Sequence, residues 1–341
     1  MARVLLTGGT GFIGSHTAVD LIERGHDVVL LDDLSNSSRV AVDRIAELTG
    51  ITPPVVIGDL RDRAVVDEAF AASGPIDGVV HFAGMKRVRE SVELPLTYHR
   101  VNVGGAMALL EAMGRHHVRR LIFSSSGSVY GDVDEVPIAE SHPHAPSNPY
   151  SATKSIIERL LSDVADSDPS WRMISLRYFN PAGAHPSGRL GEVCSGAPTN
   201  LLPILMEVAT GQRAQLSIFG DDFPTPDGTA LRDYVHVCDV AAGHALAYEH
   251  LDSLSGHRAY NLGAGEGVSV RQLLDAVGDV VGHPLPHEVV DRAPGDVPAL
   301  VGDVTSMAEE LGWHPTATLT EICADAWRFT GANPDGYGAV S

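Results

Sequence analysis

Cysteine is scarce: three in 341 residues, at Cys194, Cys238 and Cys323. They form no C-x-x-C pair and no zinc spacing, so no metal site is expected, and an odd count argues against a disulfide framework. Basic residues are also few. Against 44 Asp and Glu stand 24 Lys and Arg, leaving a formal net charge of −20. Such a surface repels phosphate backbones and excludes a broad nucleic-acid-binding face. A small anion can still be held where arginines and helix N-termini converge. No apolar run approaches the roughly 18 residues of a membrane span, so no membrane partner is expected. The opening "MARVLLTGGTGFIGSH" is broken by glycines and lacks the apolar core and cleavage site of a secretory leader, which points to a cytoplasmic protein. Repeats and low-complexity segments are missing too. What remains is an ordinary globular balance, 44% hydrophobic and 20% charged, in a chain long enough for one large or two closely packed domains.

The first half alternates. Short apolar runs at Arg3–Thr7, Asp27–Asp32, Pro54–Asp59, Ile76–Phe82, Arg120–Ser125 and Arg172–Phe179 read as buried strands. Helical spacing fills the gaps at Phe12–Arg24, Arg39–Thr49, Arg61–Ala72, Pro95–His116 and Pro149–Asp166. Strands alternating with helices of this length build right-handed βαβ units, hence an α/β fold with a Rossmann-type, doubly wound parallel sheet. Beyond Phe179, Gly- and Pro-rich stretches such as "NPAGAHPSGRLGE" read as ligand-binding loops. Helical patterns resume at Leu201–Thr210, Cys238–Leu254, Val270–Val281 and Val304–Leu311. The expected division is residues 1–180 as a dinucleotide-binding domain, with a return near 236–265, and 181–341 as a smaller substrate-binding α/β region.

"LLTGGTGFIGSH" places Gly8, Gly11 and Gly14 at three-residue spacing between a strand and a helix. A pyrophosphate needs that arrangement: a tight turn, a backbone that can approach closely, and the free N–H groups of a helix N-terminus. Asp32, at the end of the second strand, suits an adenosine ribose hydroxyl and repels a 2′-phosphate, which favours NAD over NADP. Asp59 follows the third strand, where a polar side chain could meet the adenine edge.

In "NPYSATKSIIERLL" Tyr150 and Lys154 fall one helical turn apart and share a face. A phenol with an ordinary pKa of about 10 is a poor base. A neighbouring ammonium favours its phenolate and is expected to lower that value toward neutrality. Ser124, Ser125 and Ser126 close the fifth strand, at the sheet edge where open α/β folds bind ligands. A serine there can bond a substrate hydroxyl and relay its proton.

Together with "HFAGMKRVRESVELP", "RYFNPAGAHPSG" and "DGTALRDYVHV", these motifs resemble the extended short-chain dehydrogenase/reductases, and within them the UDP-glucose 4-epimerase family, nearly end to end. The resemblance implies an isomerase of galactose metabolism that interconverts UDP-galactose and UDP-glucose with bound NAD. Tyr150 would take the 4-hydroxyl proton while hydride passes from C4 to NAD; the 4-keto sugar would turn over and take hydride back on its other face. Lys154 would hold the nicotinamide ribose and Ser126 the 4-oxygen. Cofactor contacts implied are Gly8, Gly11, Phe12, Ile13, Gly14, Asp32, Asp33, Leu34, Asn36, Ser37, Asp59, Leu60, Phe82, Ala83, Gly84, Lys86, Asn102, Ser124, Tyr150, Lys154 and Phe179. For the UDP-hexose they are Ser126, Tyr150, Asn180, Asn200, Leu201, Leu216, Ser217, Phe219, Arg232, Tyr234, Arg292, Asp296 and Leu300. A homodimer joined through helices of the first domain is implied as well.

Three positions depart from the family pattern. Ala293 replaces an arginine that would contact the diphosphate, leaving Arg292 to reach around or Arg232 to carry more of the charge. Val101 replaces one of two amides before Val103. Leu300 has intermediate bulk at the position linked to N-acetylated sugars, so UDP-N-acetylhexosamines stay open, as do uronic acids. A 4,6-dehydratase would need an Asp-Glu pair where this chain has Gly127-Ser128. A non-catalytic dinucleotide sensor could keep the glycine loop but has no need of both Tyr150 and Lys154.

Overall fold

The computed structural model describes residues 1–133, 135–193, 196–293 and 296–337; Cys194 and the Pro294-Gly295 step of "DRAPGD" lie outside the described residues. Six strands lead the chain: β1 (Arg3–Thr7), β2 (Asp27–Asp32), β3 (Val55–Ile57), β4 (Gly78–His81), β5 (Arg120–Ser124) and β6 (Arg172–Tyr178). Between them run α1 (Phe12–Glu23), α2 (Val40–Thr49), α3 (Arg63–Ala71), α4 (Val88–Glu93), α5 (Pro95–Tyr98), α6 (Gly104–Arg115) and α7 (Pro149–Ser167). The second half contains β7 (Asn180–Ala182), α8 (Leu201–Ala209), β8 (Leu216–Phe219), β9 (Leu231–Arg232), β10 (Tyr234–His236), α9 (Val237–His250) and β11 (Gly256–Leu262). It closes with β12 (Val268–Ser269), α10 (Val270–Val281), β13 (His287–Val290), β14 (Ala299–Leu300), α11 (Thr305–Leu311) and α12 (Leu319–Ala332).

The central sheet has seven strands in the order β3-β2-β1-β4-β5-β6-β11, all parallel. Its strands are near-continuous Val, Leu and Ile runs because helices cover both faces. One face packs on α1 and α9, with Leu6, Val80, Ile174, Val240 and Tyr248 in the core; the other packs on α3, α6 and α7, with Leu5, Val79, Leu109, Phe123 and Leu161. The strand order turns back at β1 and β4, so the ligand crevice of an open α/β sheet opens at their C-terminal edges. β11 joins this sheet although it lies far along the chain.

Two readings of the sequence need correction. The helix expected over 95–116 is broken: a π turn at His99–Val103 separates α5 from α6. That wider turn carries the buried Asn102, and such turns recur at functional sites. Helix α12 was not anticipated, although Thr318 and Glu321 form a capping box at its start. It completes a second core with α8 and α10 through Leu205, Val277 and Ile322.

Candidate active site

The loop from β1 into α1 is built by glycine. Gly8 has φ +70°, and a Cβ there would lie 2.7 Å from the Ala83 nitrogen. A Cβ on Gly14 would overlap the Gly8 carbonyl and come within 3.0 Å of the Gly9 Cα. Gly11 caps α1 without a side chain, which leaves the first N–H groups of that helix, around Phe12 and Ile13, facing the crevice. The cradle fits a pyrophosphate.

Asp32 ends β2 nearly buried. Its Oδ2 accepts from the Thr10 nitrogen at 3.0 Å, and its Oδ1 from the Leu34 nitrogen at 2.9 Å and the Ser37 hydroxyl at 2.8 Å. The carboxylate therefore ties the glycine loop to 33–37 while keeping one acceptor site, on Oδ2, for a ribose hydroxyl. Asp33 turns instead to Ser35. Asp59 pairs with the Arg61 guanidinium, which holds its carboxyl below the usual range. Leu60 is core. After β4, the Phe82 and Ala83 nitrogens both donate to the Thr7 carbonyl, and a Cβ on Gly84 would meet Asn102 Oδ1 at 3.0 Å. Asn102 bonds both polar groups of Met85 (2.8 and 3.0 Å) and the Thr153 hydroxyl (3.0 Å), fixing the 82–86 loop to α7.

Tyr150 stands in the first turn of α7, which Asn148 caps and Pro149 opens. Lys154 is 6% exposed; its Nζ donates to the Ser124 carbonyl at 2.7 Å and lies 5.8 Å from the centre of the Tyr150 ring. The lowering of the phenol expected from Lys154 is not found. Loss of water pushes the Tyr150 phenol up, with Ser126 and Lys86 pulling it down. Burial in turn lowers the Lys154 ammonium to about 8, with Glu158 pushing it up. Desolvation outweighs the neighbouring charge at Tyr150, so the phenol is not a strong base before a ligand binds. The Ser124 hydroxyl pairs with the Tyr178 hydroxyl, and that of Ser126 with Ser128 at 2.9 Å.

Phe179 follows β6 and is wedged between two glycines. A Cβ at Gly127 would come within 2.7 Å of one edge of its ring, and one at Gly302 would overlap the other. Beside it, Leu300 packs with Val129, Tyr130 and Ile138. The strands β9 and β14 set Leu300 against Arg232, while β7 and β10 set Asn180 against Tyr234. Among the described residues, Arg232 Nη1 donates to the carbonyls of Leu231 (2.8 Å) and Val297 (3.0 Å); burial lowers this cation. Tyr234 and Leu216 are buried in the second core. Ser217 bonds Glu288, and the exposed Phe219 lies under the Arg89 guanidinium at 5.9 Å. Arg292 does not reach toward Arg232: its Nε pairs with Asp222 at 2.5 Å and its guanidinium lies 4.0 Å over the Phe223 ring. Asp296 is exposed. Asn36, Lys86 and Asn200 line one small cavity with Glu192, which bonds Lys86 Nζ at 2.9 Å and Asn200 Nδ2 at 3.4 Å. Leu201 begins α8 directly after Asn200.

Several residues of the site escaped sequence reasoning. Glu192 bridges the two sets of contacts. Asp233, fully buried between Arg232 and Tyr234, accepts from the backbone nitrogens of Ala264 (2.6 Å), Gly265 (3.2 Å) and Gly302 (3.2 Å). Glu158 lies one turn beyond Lys154 and pairs with Arg177 at 2.6 Å. The four-residue spacing of Tyr150, Lys154 and Glu158 was the available signal for the last.

Residues 4–263 match the NAD dependent epimerase/dehydratase family. A UDP-glucose 4-epimerase of Yersinia pestis is 50% identical over 335 residues, 98% of this chain and 99% of the relative. The UDP-glucose 4-epimerase of Stenotrophomonas maltophila, solved with NAD and formylated UDP-arabinopyranose, superimposes with a TM-score of 0.95 at 42% identity, covering 97% of this chain and 98% of that one. That of Bifidobacterium longum, with NAD+ and UDP, gives 0.94 at 43% identity, covering 98% and 99%. A parallel sheet whose glycine cradle, strand-end acid and Tyr-Lys helix converge on one edge, matched at this identity across nearly every residue, makes the chain a member of the NAD dependent epimerase/dehydratase family, alongside the UDP-glucose 4-epimerases.

Proposed function

We propose that this protein interconverts UDP-galactose and UDP-glucose at C4 of the hexose through a 4-keto sugar. The observation that carries it is the convergence of Tyr150, Ser126 and Lys154 at the C-terminal end of β5, beside the glycine cradle. Gly8, Gly11, Gly14 and Asp32 would hold NAD, with Lys154 reaching its ribose; the group supplies hydride acceptor and donor chemistry when bound. Tyr150 takes the proton of the 4-hydroxyl and returns it once the sugar has turned, and Ser126 bonds the 4-oxygen and shortens that transfer. Lys154 supplies the cationic field that favours the phenolate. Arg232, a half-buried guanidinium, would face the diphosphate, and Asn180, Asn200, Leu201, Leu216, Ser217, Phe219 and Tyr234 would surround the rest of the nucleotide sugar. Residues 1–180, with the return near 236–265, act as the cofactor half, and 181–341 as the sugar half.

A homodimer fits the exposed apolar side chains of Val92, Leu94, Leu96, Met107 and Ile156 on α4 to α7 and the turn between the first two. Free thiols at Cys238 and Cys323 favour the cytoplasm. No described helix is long and apolar enough to cross a membrane. The test is incubation with UDP-galactose, UDP-glucose and their N-acetylated forms, followed by separation of products. Conversion between the first two is expected, and a sugar left unchanged at C4 would overturn the assignment.

A further inference from the structure

Tyr150, Lys154 and Glu158 recur every fourth residue along α7, so all three face the end of β5. Three consecutive serines meet them. The Ser124 carbonyl accepts from Lys154, the Ser125 hydroxyl donates to the Glu158 carboxylate, and the Ser126 side chain engages the Tyr150 phenol. Glu158 is 3% exposed, and Arg177 grips it through Nε at 3.0 and 3.1 Å and Nη2 at 2.6 Å. Arg177 is itself fixed, donating to the Tyr130 hydroxyl (2.9 Å) and the Glu140 carbonyl (3.0 Å). Tyr130 donates onward to Asn261 Oδ1 at 2.6 Å. The carboxylate is thus anchored from β5, β6 and, through Arg177, β11.

Such an ion pair contributes little net stability compared with apolar side chains of the same volume. Packing alone therefore gives no reason to place a charge one turn from Lys154. We propose that Glu158 is a positioning residue of the reaction: its carboxylate, immobilised by Arg177 and Ser125, supplies the negative field that holds the Lys154 ammonium and locks the 124–126 strand end against Tyr150. This rests on the epimerase reading above.

The other groups around Lys154 leave that part to Glu158. His81 on β4 is buried and held neutral, its imidazole pushed down to about 3, and Tyr178 on β6 is driven far up and stays a phenol. The Phe123 ring lies 4.9 Å from Nζ. Lys86 acts on Tyr150 itself. Glu158 is faced by Arg177, whose charge reduces its field without replacing it one turn from Lys154, and by His144, whose Nε2 lies 3.7 Å from the carboxylate and whose imidazole is pushed down by burial.

Wild type and Glu158→Gln are assayed together for UDP-galactose conversion across pH. The variant is expected to lose about tenfold in kcat with KM little changed, and the alkaline limb of its profile to move down by about one pH unit as Lys154 gives up its proton sooner. Glu158→Asp should recover part of both. Because Gln leaves Arg177 buried without its partner, Glu158→Gln with Arg177→Met serves as the folding control and should show an alkaline shift of the same sign but smaller size, since it removes a positive charge with the negative one. Ser125→Ala keeps the ion pair while freeing the carboxylate, and should cost a few-fold in kcat. An alkaline limb that coincides with wild type in a folded Gln variant, single or double, overturns the proposal. Should neither fold, unchanged kcat in Ser125→Ala does so. An inactive wild type would instead sink the epimerase reading.

Discussion

Lys154→Met removes one ammonium and keeps a side chain of similar reach. That ammonium lies 5.8 Å from the centre of the Tyr150 ring. With an effective dielectric of about 20, its attraction for a phenolate at this range is about 3 kcal/mol, equivalent to about two pH units. Burial already pushes the phenol up, and Ser126 and Lys86, which pull it down, are the same in the variant, so neither makes good the loss. The sign follows from the lysine's own proton. Its folded value is lowered to about 8, so the charge acts throughout the neutral range and fades as pH rises through 8. Near pH 7 the variant should therefore turn over about 100-fold more slowly, with the acid limb of its kcat profile displaced upward by about two units. The gap to wild type should narrow above pH 8. Conversion of UDP-galactose to UDP-glucose, followed by separating the products at each pH, measures it. The Ser124 carbonyl also loses its donor, which should cost about 1–3 kcal/mol of stability and show in a thermal melt. A folded variant whose profile runs parallel to wild type, with kcat within about threefold, would refute the charge argument.

Four further outcomes are expected. Tyr150→Phe should abolish epimerisation while NAD stays bound, read by product separation and by cofactor content of the purified protein; turnover like wild type would remove Tyr150 from the chemistry. Gly14→Ala sets a methyl against the Gly8 carbonyl and should eliminate tight NAD binding, seen as loss of cofactor on gel filtration. Asp233→Asn turns an amide NH2 toward backbone donors and should destabilise the fold by about 2–4 kcal/mol in a denaturant titration. Leu300→Tyr should lower activity on N-acetylated UDP-sugars more than on plain ones; an unchanged ratio would show that this residue does not limit the pocket.

The first half of the molecule was readable because its physics is local. β1 and β2 were located to the residue, since strands buried on both faces leave unbroken apolar runs between glycines and polar ends. The phosphate loop and the Tyr150–Lys154 pair were legible for the same reason: one turn of chain contains the whole signal. What stayed hidden depends on partners far apart. Glu158 finds Ser125 from 33 residues away and Arg177 from 19, and no period links them. Asp233 meets nitrogens at 264, 265 and 302, which no spacing announces. The break at His99–Val103 left the apolar pattern of 95–116 intact and so gave no warning. Spacing correctly joined a tyrosine to a lysine, yet it could not weigh their burial, and burial sets the balance between them.

The ring of Phe179, pinched between Gly127 and Gly302, makes the two halves of the molecule mechanically interdependent. Gly302 lies two residues beyond Leu300, the last residue of β14, and Gly127 directly follows Ser126; Leu300 and Ser126 are the residues proposed above to meet the sugar and its 4-oxygen. A methyl introduced at either glycine must displace the aromatic toward the other. On the proposed assignment of Leu300 to the hexose pocket and Ser126 to proton transfer, changes made through residues 300–302 should therefore reach the end of β5, and altered selectivity should arrive together with altered turnover.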